Sequence, residues 1–358
     1  MASPVAERPT EALWLAALPT PRVAAGSDSR LPVTAGPTLM PALGSINGLP
    51  GAVTDMTLSA DGRYLVAAHY GDDAVSIIDV TTLAVTATVH DVAEPYALSV
   101  ADRVYVSSAG IAEDSAVAID TASGVALAAK PIPASARGLA VSPSGDLLYV
   151  ARCIDDVADI AVIGVESGDV HTIPVAHGEG VTVDTIRINA DGTRLYAALT
   201  TDVGGALLVI DTQTQQVAQR IPVNGPVGDI AVHRDGRRVF VTGWSEDLGG
   251  VLAVVDTVSG RVDVVDIDGL ATQVALSPTH AYVVHGDHGD HGDSGDHGDS
   301  GGSGISVVNA GGRTVERIHT GRPVSCVALN RDGSRLYIAD YDGGITVKAT
   351  STQLRAAS

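Results

Sequence analysis

The chain has 358 residues and a formal net charge of −20, because 42 acidic side chains outnumber 22 basic ones. This excess excludes the basic patch with which proteins bind nucleic acid, and it disfavours binding to anionic membranes. We therefore expect a protein or a small molecule as partner, and the charge favours a cationic one. Hydrophobic residues make up 45% of the chain but aromatic residues only 3%, a balance that favours β-sheets packed face to face.

Residues 1–36 are predicted to form a flexible N-terminal segment. The apolar run Glu11–Leu18 has no preceding basic region, and it is too short for a membrane span and too weak for a signal peptide. The sequence gives no sign of export, so the compartment stays unknown, with the cytoplasm as the default expectation. Residues 351–358 are interpreted as a C-terminal tail.

A unit of about 40 to 46 residues recurs from Val53 to the C-terminus. Each unit has a turn such as Asp61-Gly62 before a short apolar strand, and a later strand that ends in Asp, such as Val75–Asp79. Four short strands per unit predict an all-β fold, a seven-bladed β-propeller of four-stranded antiparallel blades over residues 37–350. The predicted inner strands are Asp55–Ser59, Ala97–Val100, Gly138–Ser142, Thr185–Asn189, Asp229–His233, Gln273–Ser277 and Cys326–Asn330.

The seventh unit ends after Gly344–Ala349, before it has an outer strand. The N-terminal segment Thr38–Ile46 precedes Asn47–Gly51, which is similar to the connector at residues 224–228. We expect Thr38–Ile46 to supply the missing strand and close the ring, which removes open sheet edges. A closed ring without a free edge favours a monomer.

The repeats resemble the YVTN family of seven-bladed propellers, also described as lactonase-like. The matching elements are the Ser-Pro-Asp-Gly-type turn, strands such as Leu148–Ala151, and segments such as Val209–Thr212 and Val254–Thr257. This family includes secreted and surface-layer proteins, sensors, and members without an assigned activity, so the resemblance makes an extracytoplasmic location an option. The related 6-phosphogluconolactonases share the architecture, but no catalytic motif of theirs is found in this sequence.

The loops between the second and third strands are acidic in every predicted blade. We expect them to share one face, where they would attract cations and steer a basic partner. Alternatively, they only keep an acidic protein soluble. The residues are Asp72 and Asp73; Glu113 and Asp114; Asp155, Asp156 and Asp159; Asp202; Glu246 and Asp247; a tract beginning at Asp287; and Asp340 and Asp342.

Arg187 is the exception among equivalent channel-facing positions of the inner strands, which otherwise carry small residues. The others are Thr57, Ser99, Ala140, Ala231, Ala275 and Ala328. The ligand-binding candidates near the channel mouth are Asp55, Asp184, Arg187, Asp229 and Gln273. An arginine beside carboxylates could bind a zwitterion or a carboxylate, or it could form a structural ion pair, which we favour.

A lactonase-like hydrolase is the alternative function for this group. Asp55, Asp184 or Asp229 would assist water, and Arg187 would stabilise the developing oxyanion. Nearby, His177 and the pair His90 and Glu94 could add a base or a metal ligand to the same rim.

A tract at residues 286–304 repeats His, Gly and Asp within the sixth blade. The histidines His285, His288, His291 and His297 could bind Zn²⁺, Ni²⁺ or Cu²⁺ weakly, although an unstructured insertion is the favoured interpretation. We expect no required cofactor. Cys153 and Cys326 fall in blades 3 and 7, too far apart for a disulfide. The leading hypothesis is a non-catalytic binding or scaffolding propeller that uses its acidic rim.

Overall fold

A computed structural model describes residues 40–110, 113–132, 135–223, 225–267, 269–286, 303–309 and 312–350. Within these ranges, 28 strands form seven four-stranded antiparallel sheets, so the predicted seven-bladed propeller is confirmed. The only helical element among them is a single 3₁₀ turn at Tyr70–Asp72. No helix in the described ranges is long and apolar enough to cross a membrane.

The chain enters through β1 (Ala42–Ile46) and then builds the blades in order from the channel outward. Blade 1 contains β2 (Asp55–Leu58), β3 (Tyr64–His69), β4 (Ala74–Asp79) and β5 (Ala84–His90). Blade 2 contains β6 (Pro95–Val100), β7 (Val104–Ser108), β8 (Asp114–Asp120) and β9 (Val125–Ile132). Blade 3 contains β10 (Ala136–Val141), β11 (Leu147–Ile154), β12 (Val157–Gly164) and β13 (Val170–His177).

The remaining blades repeat this order. Blade 4 contains β14 (Thr182–Ile188), β15 (Arg194–Thr201), β16 (Gly204–Asp211) and β17 (Gln216–Val223). Blade 5 contains β18 (Val227–Val232), β19 (Arg238–Ser245), β20 (Gly249–Asp256) and β21 (Arg261–Ile267). Blade 6 contains β22 (Leu270–Leu276), β23 (His280–Gly286), β24 (Gly304–Asn309) and β25 (Thr314–His319). Blade 7 contains β26 (Val324–Leu329), β27 (Arg335–Asp340), β28 (Ile345–Ala349) and β1.

Strand burial follows from the position of each strand in its blade. Every residue of β3 is buried, because its sheet is covered on both faces by neighbouring blades. Most residues of the outer strand β9 are exposed. Apolar side chains on the middle strands therefore form the clusters between blades that hold the ring together.

Asp and Gly fix the turns at both ends of the strands. In blade 1, the Asp61 carboxylate accepts bonds from the Ser59 hydroxyl (2.6 Å) and the Arg63 N–H (3.0 Å). Gly62 adopts φ +70°, a conformation that costs glycine little. At the turn after β4, Asp79 accepts N–H bonds from Thr81 and Thr82.

The ring closes through β1, which pairs with β28. Ile46 lies opposite Ile345 and is almost fully buried. The predicted role of the N-terminal segment is confirmed, although the strand begins at Ala42 and residues 38 and 39 lie outside the described ranges. Cys153 and Cys326 are both free thiols, as expected.

Candidate functional site

Propeller topology gives the molecule two rims. The connector rim comprises the links between blades and the described residues of the loops between second and third strands, at 70–73, 109–110, 113, 155–156, 202–203, 246–248 and 341–344. The turn rim comprises the first-to-second turns, such as residues 59–63, and the third-to-fourth turns, such as residues 80–83. The two rims lie at opposite ends of the strands.

On and beside the turn rim, arginine neutralises many carboxylates. The Arg237 guanidinium holds the pKa of Asp256 well below its ordinary value, and the Ser259 N–H adds to this effect. The salt bridges join Arg63 with Asp79 (3.7 Å), Arg103 with Asp102 (3.6 Å), Arg237 with Asp256 (2.6 Å), Arg238 with Asp235 (2.8 Å), Arg261 with Asp263 (2.7 Å), and Arg194 with Asp211.

The connector rim carries exposed carboxylates of the predicted acidic loops. Eight of them form no salt bridge with any described arginine: Asp72, Asp73, Glu113, Asp155, Asp156, Asp202, Glu246 and Asp247. Four predicted members differ. Asp114 is half-buried at the start of β8 and accepts the Ala136 N–H at 2.7 Å. Asp159 lies within β12 and forms a bidentate pair with buried Arg152 at 2.7 and 2.9 Å. Asp340 ends β27 and, with Asp342, approaches Arg322.

Large apolar side chains, which were not predicted as site residues from the sequence, are exposed on the same rim. Their exposed fractions are 43% for Tyr70, 50% for Val157, 68% for Val203, 41% for Leu248 and 63% for Tyr341. They lie in or next to the second-to-third loops of blades 1, 3, 4, 5 and 7. The sequence could have revealed them, because an apolar residue is unusual in or next to a turn, where polar residues are favoured.

A cavity of about 480 Å³ occupies the central channel. Its wall includes the half-buried aliphatic side chains of Leu58, Val100, Leu276 and Leu329. Among the polar lining residues, Asp55 and Asp229 lie in the connector-rim half of β2 and β18, and Gln273 lies at the middle of β22. Arg187 lies near the turn-rim end of β14, and its side chain reaches Asp229. Exposed Ala60 and Arg331 line the other end, so the cavity opens at the turn rim.

Arg187 extends from β14 towards blade 5. One of its terminal nitrogens lies 3.0 Å from Asp229 Oδ1. The other donates a hydrogen bond to the backbone carbonyl of the preceding residue, Ile186, at 3.0 Å. The side chain remains 34% exposed, whereas that of Asp229 is only 9% exposed. The favoured ion pair therefore forms within the structure, with its arginine facing the cavity.

Three channel candidates also tie neighbouring blades together. The side chains of Asp55, Asp229 and Gln273 each accept a backbone N–H bond from the next inner strand. The donors are Leu98 at 2.8 Å, Val274 at 3.2 Å and Val327 at 2.6 Å, respectively. These bonds give the three residues a structural role in ring packing, in addition to any contact with a ligand.

Asp55 has an unusual electrostatic environment. Burial raises its pKa to about 6, against the lowering effects of the Arg187 charge and of N–H bonds from Leu98 and Met56. Asp229 adds a further raising effect on Asp55, and burial also raises the pKa of Asp229 itself. Each oxygen of the two carboxylates already accepts one hydrogen bond, so each keeps one further acceptor site for a ligand or for water.

Asp184 does not line the cavity. A register shift between Val183 and Thr185 makes it the extra residue of a β-bulge, which redirects its side chain. Asp184 instead accepts a bond from the Thr182 hydroxyl at 2.8 Å and lies 3.9 Å from Arg137 of blade 3. The structure thus brings Asp55, Arg187, Asp229 and Gln273 together at the cavity and leaves Asp184 apart.

The histidine candidates are separated. His285 is buried on β23, while His288, His291 and His297 lie outside the described residues. Glu94 accepts a bond from the Tyr70 hydroxyl at 2.8 Å. Within the described ranges, no group of three or more His, Cys, Asp and Glu side chains could hold a metal ion.

Seven four-stranded blades around a central channel define the class of seven-bladed β-propellers. The chain is 30% identical over 343 residues to the seven-bladed β-propeller protein Rv1057 of Mycobacterium tuberculosis, covering 85% of this chain and 83% of the relative. The chain therefore belongs to the family of seven-bladed β-propeller proteins. A second relative, from Mycolicibacterium smegmatis, is 35% identical over 69 residues, which cover 19% of each chain.

Solved structures agree with this fold. A chain of Kuenenia stuttgartiensis hydrazine synthase superposes with a TM-score of 0.70 at 20% identity, covering 86% of this chain and 97% of that chain. The β-propeller domain of Cps50 (Swd1) from Myceliophteria thermophila gives a TM-score of 0.67 at 15% identity, covering 86% and 99%. At these identities the likeness shows the fold alone. No protein-family model matches the sequence.

Proposed function

We propose that this protein is a non-catalytic binding propeller whose connector rim binds a cationic segment of another protein. The observation that carries the proposal is the uneven distribution of arginine between the two rims. Carboxylates such as Asp256 are paired with arginine on the turn rim, whereas no arginine of the described ranges pairs with Asp156 or Asp202 on the connector rim. An acidic surface left unneutralised raises the local concentration of cationic partners and speeds their association.

The exposed apolar side chains favour a protein partner over a simple cation. Val203 adjoins Asp202, Leu248 adjoins Asp247, and Tyr341 adjoins Asp342. Apolar side chains beside the carboxylates would give a protein partner apolar contacts in addition to the charge contacts. A segment with alternating basic and apolar residues matches both components of the rim.

Paired charge-removal variants test the proposal against nonspecific attraction. The rim variant carries Asp156→Asn, Asp202→Asn and Asp247→Asn. The control variant carries Asp102→Asn, Glu166→Gln and Asp169→Asn, which remove the same charge from exposed side chains of the turn rim. The probe is a fluorescent 18-residue peptide of lysine and leucine, and binding is followed by anisotropy between low and physiological salt.

We expect the rim variant to weaken peptide binding about tenfold, since three exposed charge contacts contribute about 0.5 kcal/mol each. The control variant should bind like the wild type. Replacing Val203 and Leu248 with serine should weaken binding at high salt as well, because apolar contacts are not screened. Equal weakening by the two charge variants would refute a site on the connector rim.

A further inference from the structure

The channel cavity combines aliphatic walls with a polar end. Its volume of about 480 Å³ falls within the range of about 300–1,000 Å³ typical of small-molecule sites. Six of the seven equivalent inner-strand positions carry Thr, Ser or Ala, which leaves the channel open around the long side chain of Arg187. A ligand could therefore enter from the turn rim and place its apolar part against Leu58 and Leu276.

The charges at the polar end do not cancel. Arg187 and Asp229 form one neutral pair at 3.0 Å. Asp55 then leaves one unbalanced negative charge at neutral pH, since its pKa of about 6 lies below 7. An enclosed negative charge is complementary to an ammonium group, which could form a charge-assisted hydrogen bond with it.

Arg187 also has hydrogen-bond donors that remain available. A guanidinium carries five N–H donors, and the described residues accept only two of them, at Asp229 Oδ1 and the Ile186 carbonyl. The side chain is 34% exposed and lines the cavity, so other donors can reach a ligand. A carboxylate is the ligand group that best matches the forked arrangement of guanidinium N–H donors.

We propose that the channel binds a free amino acid with an apolar side chain, its ammonium group on Asp55 and its carboxylate on Arg187. Asp229 holds the Arg187 guanidinium in place, and the pairing neutralises Asp229, so that Asp55 is the carboxylate left for the ammonium group. The aliphatic wall then contacts the ligand's side chain. This site is independent of the connector rim, so either proposal can fail without the other.

Three probes with the same branched carbon chain separate the two polar contacts. L-leucine has both charged groups, 3-methylbutylamine lacks the carboxylate, and 4-methylpentanoate lacks the ammonium group. In calorimetric titrations at pH 7.5 we expect leucine to bind at least about tenfold more tightly than either analogue, since each lost charged hydrogen bond costs a factor of this order. L-phenylalanine is titrated as a second apolar amino acid.

Matched variants locate the binding. Asp55→Asn and Arg187→Met should each lower leucine affinity at least about tenfold. Asp184→Asn and Arg137→Met make the same chemical changes at an ion pair outside the cavity, so they should leave the affinity unchanged. Thermal unfolding of each variant shows whether it is folded.

The pH dependence of leucine binding tests the role of Asp55 in the wild-type protein. Asp55 faces Arg187 and Asp229, and it interacts electrostatically with Tyr96 and Cys326. Protonation of Asp55 below its pKa of about 6 removes the acceptor of the ammonium group, so leucine affinity should fall about tenfold between pH 7 and pH 5. The proposal is overturned if an analogue binds as tightly as leucine, if neither amino acid binds, or if affinity is constant over this pH range.

Discussion

Replacement of Ile46 with alanine tests the closure of the ring through β1. Ile46 is 1% exposed and packs in one cluster with Leu65 of blade 1 and with Ile345 and Val347 of blade 7. Truncation of a buried Ile to Ala costs about 2–5 kcal/mol, depending on how far the surroundings collapse into the space. Because two blades meet at this cluster, collapse is restricted and we expect about 3 kcal/mol.

Thermal and guanidinium unfolding measure this loss. For a domain of this size, about 3 kcal/mol corresponds to a fall of roughly 5 °C in melting temperature. Leu43→Ala is the matched control, since Leu43 lies on the same strand but is 41% exposed, and its effect should stay within about 0.5 kcal/mol.

A double-mutant cycle then identifies the pairing partner. Ile46 and Ile345 are opposite each other in the β1–β28 ladder. Contacting residues show coupling of about 0.5–3 kcal/mol, so Ile46→Ala and Ile345→Ala should be non-additive. Equal effects of Ile46→Ala and Leu43→Ala, or additive effects of the isoleucine pair, would contradict closure by this strand.

Acidification should destabilise the protein through buried His69, whose pKa is lowered from 6.5 by burial. The unfolded chain then binds a proton more readily than the folded one, so the contribution of neutral His69 is lost as pH falls below 6.5. His69→Gln should show a smaller decrease in melting temperature between pH 7.5 and pH 5, and an identical decrease would contradict this cause. Reductant should leave the melting temperature unchanged because Cys153 and Cys326 are free, and a decrease would indicate a disulfide.

The parts of the fold that depend on local chemistry were predictable from the sequence. Asp61 and Gly62 form their turn through bonds within five residues, so the repeat of these residues reveals the blade boundaries. The missing outer strand of the last repeat identified the N-terminal segment as its replacement. Exact strand ends were less predictable: the predicted Ala97–Val100 strand begins at Pro95 in β6, because pairing with Ser108 extends it.

The site depended on features that sequence spacing does not encode. Asp184 and Arg187 are only three residues apart, but the bulge in β14 separates them. The Asp55–Leu98 bond joins different blades, so it depends on packing around the ring. The exposed apolar residues could have been found, since Val203 and Tyr341 lie in loops already recognised as acidic.

The inner strands show how a regular repeat can carry a site that occurs only once. Small residues such as Ala140 and Ala275 keep the channel open, so a single long side chain is enough to give the cavity its donors. Arg187 needs Asp229 as a partner because its charge lies among aliphatic walls. Asp55 is held by the N–H of Leu98 on the neighbouring inner strand, which ties its position to blade packing rather than to a flexible loop. The polar end is therefore fixed before a ligand arrives, which lowers the cost of ordering on binding.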